Sequence, residues 1–146
     1  MKYSNIREEE LKNKIAQDYF CLYDCSKIIG NVDFCVSFHQ TKNQLFEHES
    51  LLWAEAKQGT SDIYKSITQL ILTIGKARTF DNYLPPTMLG AFDCEKIAFI
   101  PYSEIHDVFY MNDFNWNVTP SNHDTKEFQF VENKVKSIID EKALLF

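Results

Sequence analysis

Two short stretches decide the fold, VDFCVSF at residues 32–38 and LLWAEAK at residues 51–57. In the first, polar and apolar residues alternate, so Asp33 lies on the face opposite Phe34. The second is a run of mostly apolar residues that closes with Glu55 and Lys57. Both patterns are typical of β-strands, and the stretches predict two neighbouring strands of one sheet.

The flanking sequence predicts helices on both sides of these strands. A helix from about Ile6 to Tyr23 carries an apolar stripe at Leu11, Ile15, Tyr19 and Leu22. A first strand over residues 26–29 precedes the Gly30-Asn31 turn, and the polar stretch 39–50 is a turn or hairpin loop. A second helix begins at Ser61 or Asp62 and runs to about Arg78.

The second half of the chain predicts a strand pair and further helices. Strands over 87–92 and 96–100 form a hairpin with a tight turn at 93–95, and a short helix covers 103–110. After an irregular segment, a last helix runs from about Lys126 to Leu145 with an apolar face that includes Phe130 and Val131. The whole order predicts an α/β fold, with a central mixed sheet of about four to five strands flanked by helices.

The composition favours one domain spanning residues 1–146. The chain has 45% hydrophobic residues, no apolar run long enough for a membrane span and no secretory signal, so a cytoplasmic protein without a membrane partner is expected. Its formal net charge is −6. A module that binds DNA mainly by phosphate neutralisation is normally basic, so any DNA affinity must come from another domain or from a locally basic groove.

Three charged residues stand among the apolar residues of the two deciding strands. If the strands pair, Asp33, Glu55 and Lys57 meet on one side of the sheet, since side chains alternate with period two. Asp33, Glu55 and the backbone carbonyl of Ala56 are oxygen ligands of the kind that Mg²⁺ prefers, and Lys57 would orient water or stabilise charge on a phosphate. The alternative is a solvated ion-pair cluster with no catalytic role.

The arrangement of Asp33 followed by Glu55-Ala56-Lys57 on successive strands, between two helices, resembles the PD-(D/E)xK nuclease superfamily. The match covers residues 6–100 approximately and leaves a C-terminal helical extension of about 124–146. Val32 stands where the nominal motif has proline. The resemblance implies a restriction-endonuclease-like core with a three-stranded meander. It also implies DNA cleavage dependent on Mg²⁺, for which Mn²⁺ can substitute.

The same resemblance implies two further site residues. Many members carry a metal-binding glutamate on the first helix, and Glu8 has the best register because it shares a face with Leu11; Glu9 and Glu10 are the alternatives. The other interpretation of these three glutamates is a cluster favoured by the helix dipole. Gln69 matches a glutamine that lies near the scissile phosphate or the catalytic lysine, although a plain surface residue is an equal alternative.

More narrowly, the run LLWAEAKQG…DIYKSITQLILTIGKARTF resembles N-terminal nuclease domains of large single-chain restriction-modification enzymes of the type IIG kind. That resemblance implies a fragment of a longer chain that also holds an adenine-specific DNA methyltransferase and a target-recognition domain. S-adenosylmethionine would then bind only to the fused methyltransferase, and double-strand cleavage would need dimerisation on DNA.

Two other functions stay open at this point, and so does RNA as a substrate. One is a nuclease-like module that binds DNA or a partner without cutting. The other is an unrelated α/β interaction domain, for which Asp33 and Glu55 should not converge in space.

Overall fold

The two deciding stretches form neighbouring antiparallel strands. In the computed structural model, which describes residues 7–38 and 50–142, they are β1 (Phe34–Ser37) and β2 (Ser50–Ala56). Phe34 pairs with Ala54, and Cys35 pairs with Trp53. Six of the seven residues in β2 are buried, as expected for an interior strand covered on both faces.

The sheet has four strands and is mixed. Strand β3 (Met88–Phe92) runs parallel to β2, and β4 (Ile97–Pro101) returns antiparallel to β3. The strand order is therefore β1-β2-β3-β4, with β2 and β3 in the centre. This confirms the predicted α/β class with a four-stranded mixed sheet, and it confirms the predicted hairpin.

Helices cover both faces of the sheet. The remaining elements are α1 (Glu8–Tyr19), α2 (Ile63–Ala77), α3 (Thr79–Asn82), α4 (Tyr102–Ile105), a 3₁₀ helix (His106–Tyr110) and α5 (Lys126–Lys142). Helix α1 buries Leu11 and Ile15 on one face, against Phe34 and Phe92 among others. Helices α2 and α5 pack together on the other face, in a cluster that includes Trp53.

Local sequence signals explain the bounds of α2. The carboxylate of Asp62 accepts hydrogen bonds from the backbone amides of Tyr64 and Lys65 at 3.0 and 3.3 Å, which caps the helix N-terminus. Arg78 ends the helix in the left-handed conformation, with φ at 50°. The segment that follows the 3₁₀ helix packs on α2 through Trp116, because Gly75 has no side chain to occupy that space.

The prediction of a first strand over residues 26–29 is wrong. From this part of the chain only an isolated antiparallel bridge, Asp24 to Ser37, reaches β1. Ile29 is buried in the core cluster, but Ile28 is 86% exposed, and residues 26–29 form no ladder with β1. Two strands, not three, therefore lie between α1 and α2 in the described residues.

Two helical predictions also need correction. Helix α1 ends at Tyr19 instead of Tyr23, and Leu22 at the end of the predicted stripe is 81% exposed. In α5, Phe130 is 45% exposed and Phe128 takes the buried position, since Phe128, Val131 and Val135 have the helical spacing that faces α2. The predicted start at Ile6, the loop over 39–49 and the last helical residues at 143–145 lie outside the described residues.

Within residues 7–38 and 50–142, the structure has no helix with both the length and the apolar character that crossing a membrane requires.

Candidate active site

Strand pairing brings Asp33 to the end of β2. The register that pairs Phe34 with Ala54 places Asp33, one residue before β1, opposite Glu55. The half-buried Asp33 carboxylate accepts a hydrogen bond from the backbone amide of Ala56, with 3.3 Å between Oδ2 and N. The two carboxylates that the sequence singled out therefore converge, as the nuclease interpretation requires. The convergence contradicts the expectation for an unrelated interaction domain.

Glu55 is the most buried member of the site, with 7% of its surface exposed. It lies on the face of the sheet that α2 covers, since Trp53, two residues earlier, belongs to the cluster packed on α2. Burial raises the pKa of its carboxyl, and the negative charge of Asp33 raises it further; Lys57 opposes both effects, and the pKa is about 7. The attraction of Lys57 therefore does not offset the cost of burying the Glu55 charge beside Asp33.

Lys57 and Gln69 complete a closed set of polar contacts around Glu55. The Lys57 ammonium lies 3.4 Å from Glu55 Oε1 and donates to Gln69 Oε1 at 3.3 Å. The Gln69 amide in turn donates to Glu55 Oε1 at 3.2 Å. The backbone amide of Lys57 donates to the carbonyl of Phe92 at 3.0 Å, so pairing with β3 fixes the chain where the lysine leaves the sheet.

The structure separates the three glutamates at the start of α1. Glu8 is partly buried, and both Asp33 and Lys57 influence its charge; burial is the largest cause that raises its pKa, followed by Asp33. Glu9 is exposed and pairs with Lys12 at 2.7 Å, and Glu10 is exposed and lies 3.5 Å from Arg7. Of the three, Glu8 is the one whose charge interacts with Asp33 and Lys57.

Lys12 is a neighbour of the site that the sequence reasoning missed. Its ammonium donates to the backbone carbonyl of Asp33 at 3.4 Å. Burial alone would lower the pKa of Lys12, but the hydrogen bond to Glu9 and the charges of Glu9, Asp33 and Glu8 raise it. The signal was available in the sequence, because Lys12 lies four residues after Glu8 and so on the same helical face.

A second buried carboxylate lies at the same end of the central strands and has a different role. Asp93, in the turn between β3 and β4, is 1% exposed and accepts hydrogen bonds from the Lys96 ammonium at 2.7 Å and from the Ser61 hydroxyl at 2.9 Å. Backbone amides of Ser61, Glu95 and Lys96 also donate to it. Burial raises its pKa, but these hydrogen bonds outweigh burial and lower it. Asp93 therefore anchors the turn and the approach to α2.

The oxygen atoms at this site are of the kind that a divalent cation binds. Asp33 and Glu55 offer adjacent carboxylates, and the backbone carbonyl of Ala56, between Glu55 and Lys57, stays the predicted third ligand. In the described part of the chain, no group of three His, Cys, Asp or Glu side chains is close enough to hold a metal ion. Mg²⁺ commonly takes one or two carboxylates and keeps several waters, so two adjacent carboxylates suit it.

In comparisons with known proteins, no family model, no curated protein and no solved structure matched this chain. The functional argument therefore starts from the geometry of Asp33, Glu55, Lys57 and Gln69.

Proposed function

We propose that this chain is a metal-dependent endonuclease domain that hydrolyses DNA phosphodiester bonds, with a restriction-endonuclease-like core. The observation that carries the proposal is the convergence of Asp33, Glu55 and Lys57 at the end of two paired strands. A buried carboxylate with a raised pKa, beside a second carboxylate and a lysine, is the kind of perturbed group that clusters at functional sites.

The two carboxylates fit Mg²⁺ or Mn²⁺. Asp33 and Glu55 would hold the ion, with the Ala56 carbonyl as a further oxygen ligand. Glu8 would act on the ion through one of the water molecules that Mg²⁺ retains. Burial and then the charge of Asp33 raise the pKa of Glu55, and positive charge between the two carboxylates would oppose both effects. When bound, such an ion polarises a phosphate oxygen and lowers the pKa of a water molecule.

The chain's own residues position the substrate and stabilise charge. Lys57, with 34% of its side chain exposed, can donate a hydrogen bond to a phosphate oxygen as negative charge develops there. Gln69 holds the Lys57 ammonium in place through its Oε1 atom. In the reaction, the oxygen of a water molecule forms a bond to phosphorus, and the bond from phosphorus to the leaving sugar oxygen breaks. The water loses a proton, and the leaving oxygen gains one.

A groove next to Asp33 gives the phosphate backbone a path to the site. Its cavity of about 160 Å³ is lined by Lys12, Lys27, Glu9 and Asp33, among others. Lys12 pairs with Glu9 at 2.7 Å and Asp33 is a carboxylate, so the lining carries no net positive charge, and the exposed Lys27 is the lysine there that would contact a phosphate. Most of the DNA affinity would therefore come from other domains of a longer chain.

A narrower proposal concerns the biological setting. The domain would be the cleavage module of a restriction-modification enzyme, joined in a longer chain to methyltransferase and target-recognition domains. S-adenosylmethionine would bind to that methyltransferase, and two copies of the nuclease domain would meet on DNA to cut both strands.

The proposal is tested by plasmid cleavage with the longest natural form of the protein, in Mg²⁺ and separately in Mn²⁺. Wild type should nick or linearise supercoiled plasmid, whereas Glu55→Ala and Lys57→Ala should lose at least about a hundredfold in rate. Lys76→Ala is the matched control, because Lys76 is an exposed lysine at the far end of α2. An RNA substrate of the same length distinguishes the two nucleic acids. Wild type that binds DNA under both metals without cutting it would instead indicate the non-cleaving module.

A further inference from the structure

Lys12 on α1 is held between its own helix and the chain that leads into β1. Its ammonium pairs with the Glu9 carboxylate at 2.7 Å and donates a hydrogen bond to the backbone carbonyl of Asp33 at 3.4 Å. Only 19% of the Lys12 side chain is exposed, which is a small fraction for a lysine. Leu11, its neighbour along the chain, is fully buried, so the packing of α1 fixes the point from which the Lys12 side chain starts.

The two contacts of Lys12 differ in what they can contribute. The Glu9 side chain is 82% exposed, and an ion pair in such a position adds little to stability because water and salt screen it. The Asp33 carbonyl belongs to a half-buried residue, where a hydrogen-bond donor replaces the water that burial removes. The contact with Asp33 is therefore the one through which Lys12 can influence the site.

The position of Asp33 depends on contacts outside the ladder of the sheet. The paired residues of β1 begin at Phe34, so Asp33 lies in a bend one residue before the ladder. On the β2 side, its carboxylate accepts a hydrogen bond from the Ala56 amide at 3.3 Å. On the α1 side, its carbonyl accepts from Lys12. The two bonds restrain the backbone and the side chain of the same residue, which keeps the carboxylate beside Glu55.

The charge of Lys12 has the opposite consequence for a bound cation. Asp33 and Glu8 both attract the Lys12 ammonium, so it competes with a cation for the same negative charge. As a hydrogen-bond donor, however, Lys12 keeps a ligand carboxylate in place. The two roles predict changes of opposite sign when Lys12 is replaced: loss of a competing charge strengthens metal binding, and loss of the hydrogen bond weakens it.

We propose that Lys12 is a positioning residue of the metal site, which holds the Asp33 carboxylate beside Glu55 through a hydrogen bond to the Asp33 carbonyl. The inference rests on the proposed function and adds to it a residue that touches neither the ion nor the DNA. Groups that orient a metal ligand commonly change metal affinity by about 10–100-fold. Loss of the hydrogen bond should therefore outweigh the loss of one competing charge.

The first test reads the position of Asp33 in the full chain without metal. Lys12→Met keeps the length of the side chain and removes its charge and its donors. Lys14→Met is the matched control, since Lys14 is an exposed lysine on the same helix. In chelator, the Ala56 amide should shift in the NMR spectrum and exchange its hydrogen several-fold faster in Lys12→Met, and it should be unchanged in Lys14→Met. An unaffected Ala56 amide in Lys12→Met would overturn the proposal.

The second test measures affinity for Mn²⁺ by calorimetric titration of the same proteins. Lys12→Met should bind about tenfold more weakly than wild type, whereas Lys14→Met should match wild type. Lys12→Arg, which keeps the charge and the donors, should recover most of the affinity. Equal or tighter binding by Lys12→Met would mean that Lys12 is only a competing charge, and the proposal would fail. If Lys12→Met does not fold, the uncharged Lys12→Gln takes its place in both tests.

Cleavage then separates positioning from direct action on the substrate. At saturating Mn²⁺, Lys12→Met should cleave plasmid within about threefold of the wild-type rate, because the substitution acts through metal affinity. A rate that stays low at saturation, or weaker DNA binding in chelator, would make Lys12 a substrate contact and refute positioning. If wild type binds no metal, the proposed function fails, and the Ala56 amide still decides whether Lys12 positions Asp33.

Discussion

Replacing Glu55 with glutamine should stabilise the metal-free protein and abolish cleavage in the same variant. Burial is the largest cause that raises the pKa of Glu55, and Asp33 raises it further against the opposing effect of Lys57. A carboxyl whose pKa is higher in the folded protein than in the unfolded chain destabilises the fold whenever it is ionised. Glutamine keeps an oxygen that accepts from Lys57 and Gln69 but carries no charge.

The size of the effect follows from the pKa. The value rises from 4.5 to about 7, and each pKa unit corresponds to about 1.4 kcal/mol, so ionisation lowers the free energy of unfolding by about 3 kcal/mol. Below the ordinary pKa the carboxyl is protonated in both states, and the penalty is absent. Wild-type stability then decreases as the pH rises from 4.5 to about 7, and the penalty is complete by about pH 8.

The assay is urea unfolding of wild type and Glu55→Gln in chelator, at about pH 5 and pH 8. We expect the variant to gain about 1–3 kcal/mol at pH 8 and little at pH 5. Glu95→Gln, an exposed change in the β3–β4 turn, should have a free energy of unfolding within about 0.5 kcal/mol of wild type at both pH values. Added Mg²⁺ should stabilise wild type and have little effect on the variant. A variant less stable than wild type at pH 8 would show that Glu55 is a structural partner of Lys57, and the reasoning would fail.

Three further predictions concern other parts of the molecule. Gly75→Ala should lower the free energy of unfolding by about 1–3 kcal/mol, because the new Cβ would overlap the ring of Trp116; a gain in melting temperature would contradict this. Asp93→Asn should cost about 2 kcal/mol in urea unfolding near pH 7, and the loss should shrink as the pH falls through the lowered pKa of Asp93. Glu8→Gln should slow metal-dependent cleavage of plasmid, whereas Glu10→Gln should leave the rate unchanged; equal effects would refute the choice of Glu8.

Elements with strong local signals were predicted well. The bounds of α2 follow from the Asp62 cap and the spacing of its apolar residues, and β2 differs from the prediction by one residue at each end. The β3–β4 hairpin was correct for the same reason, since two short apolar strands flank a compact turn. These features depend on neighbours along the chain, which a single sequence displays.

Features that depend on distant partners were harder to predict. Residues 26–29 have a strand-like composition, but whether they pair depends on what lies beside β1. Convergence of Asp33 with Glu55 followed from side-chain alternation once the strands were assumed to pair. The contacts of Gln69 depend on the angle at which α2 crosses the sheet, which no local pattern specifies.

The contrast between Asp93 and Glu55 explains why the site calls for a function. Both carboxylates are buried at the same end of the central strands. Asp93 accepts five hydrogen bonds, and its lowered pKa shows that the folded protein stabilises its charge. Glu55 lies beside Asp33 with too few donors, and its raised pKa shows the opposite. The hydrogen bonds of Asp93 stabilise the fold, whereas the ionised carboxylate of Glu55 lowers its stability. A buried charge that lowers stability is expected where it binds a ligand, and in the proposed function a divalent cation shared with Asp33 would remove this cost.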